Sequence, residues 1–169
     1  DVNRVMNITD VGHLSSDADT GEDKMLKGAR REHKTVMEIA QYYTDAFFED
    51  CRKLNIKRPD TVQPATGCID EYIKIVSALL DKGYAYESEG DVYFRVEKSH
   101  DYAKLANKTL ADLELGASGR TDEETARKEN PVDFALWKAA KPGEISWDSP
   151  WGPGRPGWHI ECSVMLTEI

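Results

Sequence analysis

The sequence predicts an α/β fold in which two end pieces of an open-sheet domain enclose an inserted α+β lobe of helices plus a small antiparallel sheet. Three observations predict it. Residues 2–7 set Val2, Val5 and Met6 into a short apolar run with Thr9 and Asp10 just past its end. Two later stretches repeat apolar residues at steps of three and four, the period of a half-buried helix. Between residues 85 and 96, two short apolar–polar runs flank Glu89-Gly90, which reads as a hairpin.

The elements follow in order. Residues 2–7 read as a strand, so Thr9 and Asp10 fall at or beyond its carboxyl end, where ligands gather in open α/β sheets. Thr-Asp pairs also serve as turns and helix caps. Asp17, Asp19, Gly21 and Asp23 resemble a calcium loop but fail its pattern. No acidic residue directly precedes Gly21, and the twelfth position is Gly28 rather than Glu. A solvated acidic loop entering a helix over residues 22–32 is expected instead. Thr35-Val36-Met37-Glu38 has capping-box spacing and starts the next helix. Its stripe of Ile39, Ala40, Tyr43, Phe47, Cys51 and Leu54 is expected to be core, and Asn55 and Pro59 end it.

Residues 65–82 form another amphipathic helix, with Gly83 just past its end. The hairpin follows over residues 85–88 and 91–96. A short helix is expected over 110–115, a mobile loop over the charged stretch 116–130, and a strand over 133–138. The boundaries expected from this organisation are 1–56, 57–146 and 147–169.

Composition bounds the function. The chain has 169 residues, enough for one ordinary core, with 40% hydrophobic and 31% charged residues. No apolar run approaches the roughly 20 residues needed to span a bilayer, and these residues carry no signal-peptide pattern. The net charge of −9 argues against tight nucleic-acid binding by these residues alone, because phosphate contacts need clustered Lys and Arg. Three widely spaced cysteines, Cys51, Cys68 and Cys162, do not suggest a disulfide scaffold; a reducing, cytoplasmic setting is the default. Cys51 and Cys68 read as packing residues.

The densest chemistry lies near the end. Six of the eight residues from Pro150 to Gly157 are proline or glycine, so no helix or central strand can run through them. A segment with Trp158, His159, Glu161 and Cys162 follows. If a helix starts at Trp158, Trp158 and Cys162 share a face one turn apart, and His159 and Cys162 could also share one. Imidazole and thiolate both favour zinc, although a buried lone cysteine is more often a small core residue. Arg155 reads as a surface charge, or as a group that orients the loop or touches a phosphate.

The run from Pro150 to Ser163, Pro-Trp-Gly-Pro-Gly-Arg-Pro-Gly-Trp-His-Ile-Glu-Cys-Ser, resembles the zinc-pocket sequence of cysteine–tRNA ligases, which are class I synthetases. Asn7-Ile8-Thr9-Asp10, Ala65-Thr66, the run from Asn130 to Lys138 and Trp147-Asp148-Ser149-Pro150 fit the same family in the same order. The resemblance covers essentially the whole chain. It implies part of a Rossmann-like nucleotide-binding domain, with the α+β lobe as the insertion that joins its halves. It implies activation of L-cysteine with ATP, used with Mg2+, to cysteinyl adenylate, and transfer to tRNA(Cys).

Cysteine and serine differ by one sulfur, and a hydrophobic pocket separates near-isosteres by only about 1–3 kcal/mol. A zinc ion separates them better, because a soft thiolate ligates it far better than a hydroxyl. By the resemblance, Cys162 is one zinc ligand. The others are a cysteine before the first residue and a His and a Glu beyond the last, so His13, His33, His100 and His159 need not be ligands. Thr9 would help hold the amino acid, Trp158 would wall the pocket, and His159 would neighbour it. The resemblance assigns no role to Glu161 or Ser163 and no catalytic residue to this segment.

Three features depart from the family. Its HIGH-type and KMSKS sequences and its helical anticodon-binding region are not among these 169 residues, so the chain reads as an internal fragment, expected to be inactive alone. Cys68 stands where a histidine is common, which reads as peripheral. Two alternatives stay open: the paralogous ligase joining cysteine to a glucosaminyl inositol in mycothiol synthesis, and a non-catalytic interaction module.

Overall fold

A computed structural model describes residues 2–11, 24–99, 101, 102, 104, 107 and 125–168. The acidic loop with Asp17, Asp19 and Asp23, the expected helix over 110–115 and most of the expected mobile loop lie outside those residues.

The chain opens with β1 (Val5–Ile8), then α1 (Lys24–Glu32) and α2 (Val36–Lys53), then β2 (Thr61–Pro64). β1 and β2 pair in parallel, with Val5 opposite Thr61 and Ile8 opposite Pro64. Parallel neighbours need a crossover connection, and the two helices supply it. The start of α2 follows the expected capping box. The Glu38 N–H donates to Thr35 Oγ1 at 3.2 Å, and the Thr35 N–H donates back to Glu38 Oε2 at 2.7 Å. Those bonds, the backbone bond from Thr35 first, hold the Glu38 carboxyl below its usual range.

The stripe on α2 is only partly core. Ile39 and Ala40 are buried, but Tyr43, Phe47 and Leu54 are 54%, 45% and 72% exposed. Periodicity reports that a face is apolar, not that another element covers it. Here α2 packs on α1, and the described residues leave its later turns exposed.

A 3-10 turn (Ala65–Cys68) leads into α3 (Ile69–Asp81), which ends at Gly83 with φ of 75°, a conformation glycine adopts without strain. The second sheet is antiparallel, in the order β3 (Ala85–Ser88), β4 (Asp91–Phe94), β5 (Phe134–Ala139), β6 (Gly154–Pro156). Glu89 and Gly90 both have positive φ, as a two-residue turn of the primed type requires. The loop rich in proline and glycine thus contains a three-residue strand. It lies at the sheet edge, where proline is tolerated. The chain closes with α4 (Trp158–Glu168).

One core joins these parts. Tyr72 and Val76 of α3, Val92 of β4, Trp137 of β5 and Ile160, Val164 and Met165 of α4 are buried together with Val11, just past β1. Cys68, read from the sequence as a packing residue, belongs to this core at 3% exposure. The tail of the expected mobile loop is anchored where it is described. Arg95 pairs with Glu129 at 2.7 Å, the Glu129 N–H donates to Tyr86 Oη at 2.7 Å, and Tyr86 donates to Asp133 at 2.9 Å. No described helix is long and apolar enough to cross a membrane.

Candidate functional site

The site forms where the carboxyl end of β1 meets the first turn of α4. Asp10, 6% exposed, ties the end of β1 to the 3-10 turn that precedes α3. Its carboxylate accepts the Thr66 N–H at 3.0 Å and the Thr66 hydroxyl at 2.6 Å. A carboxylate buried with two such donors is held in place rather than penalised. Thr9 sits one residue earlier, close enough to the Glu161 carboxyl of α4 to favour its charged form. Asn7 Nδ2 points at Thr9 Oγ1 from 3.4 Å.

Glu161 is 2% exposed, and its Oε1 has no hydrogen-bond partner among the described residues. Burial, followed by the nearby Asp10 carboxylate, pushes this carboxyl up to about 8; Thr9 and Arg155 pull the other way. Tyr72, fully buried with no partner for its hydroxyl, is raised by burial first and then by Glu161.

The opposite face of α4 points outward. Ile160, Glu161, Val164 and Met165 are buried, while Trp158, His159, Cys162 and Leu166 are exposed. Trp158 and Cys162 therefore share a face one turn apart, as their spacing predicts. Trp158 is 54% exposed, and Cys162 carries a free thiol. His159 rests against Phe134 of β5, with ring centroids 4.7 Å apart. The cleft lined by Thr9, about 470 Å³, is walled by Met6, Ile8, Ala40, Tyr43 and Phe47 of β1 and α2. No residue of α4 lines that cleft.

The preceding loop is locked by its own bonds. Trp147 and Gly154 exchange backbone hydrogen bonds at 2.8 and 3.0 Å, and Ser149 Oγ donates to the Gly152 carbonyl at 2.6 Å. A Cβ on Gly157 would collide with the carbonyl oxygen of Ala135, which is backbone and cannot swing aside. Glycine there lets the chain press on β5 and set the start of α4. Arg155, read as a surface charge, is 5% exposed, because β6 turns its side chain inward toward Glu144, 3.9 Å from Nε.

A metal ion needs several converging donors. Among the described residues no group of three or more His, Cys, Asp and Glu is arranged to hold one. Cys162 fits the part of a single outward donor, with further donors required from elsewhere. Sequence reasoning assigned Glu161 no role. Its position on the apolar stripe of Ile160, Val164 and Met165 was the available clue, since a lone carboxylate on a core face is expensive unless it is used.

Comparison with known proteins bears on this arrangement. Residues 1–169 match the sequence model of the family described as tRNA synthetases class I (C) catalytic domain. The cysteine–tRNA ligase of Streptococcus pneumoniae serotype 4 (strain ATCC BAA-334 / TIGR4) is 66% identical over 160 residues, 94% of this chain and 35% of that protein. The cysteine–tRNA ligase of Streptococcus thermophilus (strain CNRZ 1066) is 60% identical over 169 residues, 99% of this chain and 35% of that protein. The one from Streptococcus equi subsp. zooepidemicus (strain MGCS10565) is 56% identical, with the same coverage. The chain thus spans about a third of the length of these relatives.

Proposed function

Since the chain belongs to the family of class I (C) tRNA synthetase catalytic domains, we propose that it supplies part of the amino-acid pocket of an ATP-dependent ligase that joins L-cysteine to tRNA(Cys). The observation that carries this reading is the first turn of α4. Trp158 and Cys162 stand together on its outward face, and its inward face sets Glu161 near Thr9 at the end of β1.

In this reading the substrate carboxylate attacks the α-phosphate of ATP, bound with Mg2+. Cysteinyl adenylate forms and pyrophosphate leaves. A terminal hydroxyl of the tRNA then attacks the activated carbonyl and releases AMP. The residues here bind and orient rather than transfer protons. Thr9 holds the amino acid, Trp158 forms one wall and His159 stands beside it. Cys162 is one ligand of a zinc ion, whose chemistry when bound is to prefer a thiolate to a hydroxyl and so to select cysteine over serine.

Residues 147–169 and the β1 end belong to the catalytic domain, and strands β3 to β5 belong to the inserted lobe, whose sheet β6 extends at its edge. The β1–β2 pairing supports a first boundary after Pro64 rather than near Ile56. The names carried by the relatives favour tRNA over a glucosaminyl inositol as acceptor. The test is ATP–pyrophosphate exchange by the full-length protein. Exchange with cysteine and little with serine is expected; equal exchange with both, or none with cysteine, would remove the reading.

A further inference from the structure

A row of aromatic rings on the antiparallel sheet ends on α4. Phe134, the first residue of β5, stacks on Phe94 of β4 with centroids 5.2 Å apart, and it also meets the His159 imidazole at 4.7 Å with 55° between the ring planes. His159 is exposed, and helical spacing sets it about 60° around α4 from Cys162, with Trp158 on the other side of that cysteine. An exposed imidazole ordinarily samples several rotamers, and freezing it costs entropy. Both backbones are already fixed where these two rings meet. Asp133, next to Phe134, accepts from Tyr86 Oη at 2.9 Å and from the Val96 N–H at 3.0 Å. The Gly157 N–H, just before α4, donates to the Leu136 carbonyl at 2.9 Å, and a Cβ on Gly157 would strike the Ala135 carbonyl. Only the side-chain torsions of His159 remain to be set.

We propose that Phe134 is a positioning residue for the amino-acid pocket: its ring holds the His159 imidazole in one orientation beside Trp158 and Cys162, so that the inserted lobe braces the pocket wall. The inference rests on the reading of the outward face of α4 as that wall and deepens it. The geometry carries it in two ways. Tilted ring pairs favour one relative orientation, because the positive edge of one ring meets the negative face of the other, and Phe134 is half-buried between its partners rather than free to follow the imidazole. The contact also crosses from β5 to α4, where the strand and the helix start are pressed together on either side of it. Without the Phe134 ring the imidazole can turn away, and a substrate must fix it on binding. The loss then falls on substrate affinity rather than on the chemical step.

The test uses the full-length enzyme and cysteine-dependent ATP–pyrophosphate exchange. Phe134→Leu and Phe134→Met keep apolar bulk and remove the ring. Each is expected to raise the KM for cysteine about threefold to tenfold, the size of one aromatic pair, and to leave kcat within about twofold. Zinc content should stay at the wild-type level. Phe134→Tyr, which keeps the ring, should hold the wild-type KM. In a His159→Ala background Phe134→Leu should add nothing, since the imidazole it positions is gone. The imidazole C–H resonances of His159, identified by their loss in His159→Ala, should shift in Phe134→Leu and stay in place in Phe134→Tyr.

An unchanged KM in Phe134→Leu overturns the proposal, as does an effect that multiplies with His159→Ala or one that Phe134→Tyr shares. If neither Phe134→Leu nor Phe134→Met folds, the ring is a structural one, and a loss of zinc routes its effect through Cys162; either result overturns the proposal. A wild-type enzyme without cysteine-dependent exchange overturns the functional reading itself. Normal exchange without Phe134–His159 coupling overturns only this inference.

Discussion

Gly157 shows how one residue sets the geometry of the site. Its backbone lies against β5 so closely that any side chain meets the Ala135 carbonyl. Gly157→Ala should therefore destabilise the protein by about 1–3 kcal/mol, the usual range for overpacking, as read from urea unfolding. The same substitution should weaken cysteine binding, because the start of α4 must move. Glu129 gives a pH-dependent case. Its bonds to Arg95 hold the carboxyl below its usual 4.5. The lowered value means that the stabilisation is present above that value and is lost as pH falls through the folded one. The stability difference between wild type and Glu129→Gln should accordingly shrink as pH falls below the usual carboxyl value of 4.5. Its size is modest, since Glu129 is about half exposed. At this scale the sequence was informative where contacts are local. Trp158 and Cys162 share a face because four residues make one turn. Asp10 and Thr66 are 56 positions apart, and the burial of Arg155 follows from how β6 meets its neighbour. No local pattern encodes either.

The elements divide along the same line. The capping box of α2, the glycine after α3 and the Glu89-Gly90 turn were legible because each is a bond or a backbone conformation within four residues. Thr35→Ala should cost about 1 kcal/mol, as removing a side-chain cap usually does, measured by the urea midpoint. The antiparallel sheet depends on a longer-range device. Asp133, 3% exposed, accepts from Tyr86 Oη at 2.9 Å, the Val96 N–H at 3.0 Å and the Asn130 N–H at 3.2 Å. Asp133→Ala leaves these donors without their acceptor and should cost about 3 kcal/mol. Asp133→Asn keeps one accepting oxygen and should cost less. The strand inside the proline-rich loop escaped sequence reasoning because proline forbids only central strands, and position in a sheet is a tertiary fact.

At the scale of the whole molecule, the α/β class and the two sheets agree with the sequence, while the cover on α2 does not. Tyr43 and Phe47 line an apolar cleft against β1 with Thr9 at one end. Periodicity marked that face as buried, but the described residues leave it open. A chain spanning about a third of its relatives' length, with one outward thiol and no converging metal donors among its described residues, supports a further expectation. The 169-residue chain by itself should give no cysteine-dependent pyrophosphate exchange and retain no zinc after dialysis. Exchange by the isolated chain would show that the pocket needs nothing more.

The most direct test of the pocket is the zinc content of the full-length protein, wild type beside Cys162→Ser, measured together with cysteine-dependent exchange. The expected result is about one zinc per wild-type chain, with both zinc and discrimination against serine lost in the variant. A wild-type protein that is free of metal and still selects cysteine, or a variant that keeps its zinc and its selectivity, would contradict the account.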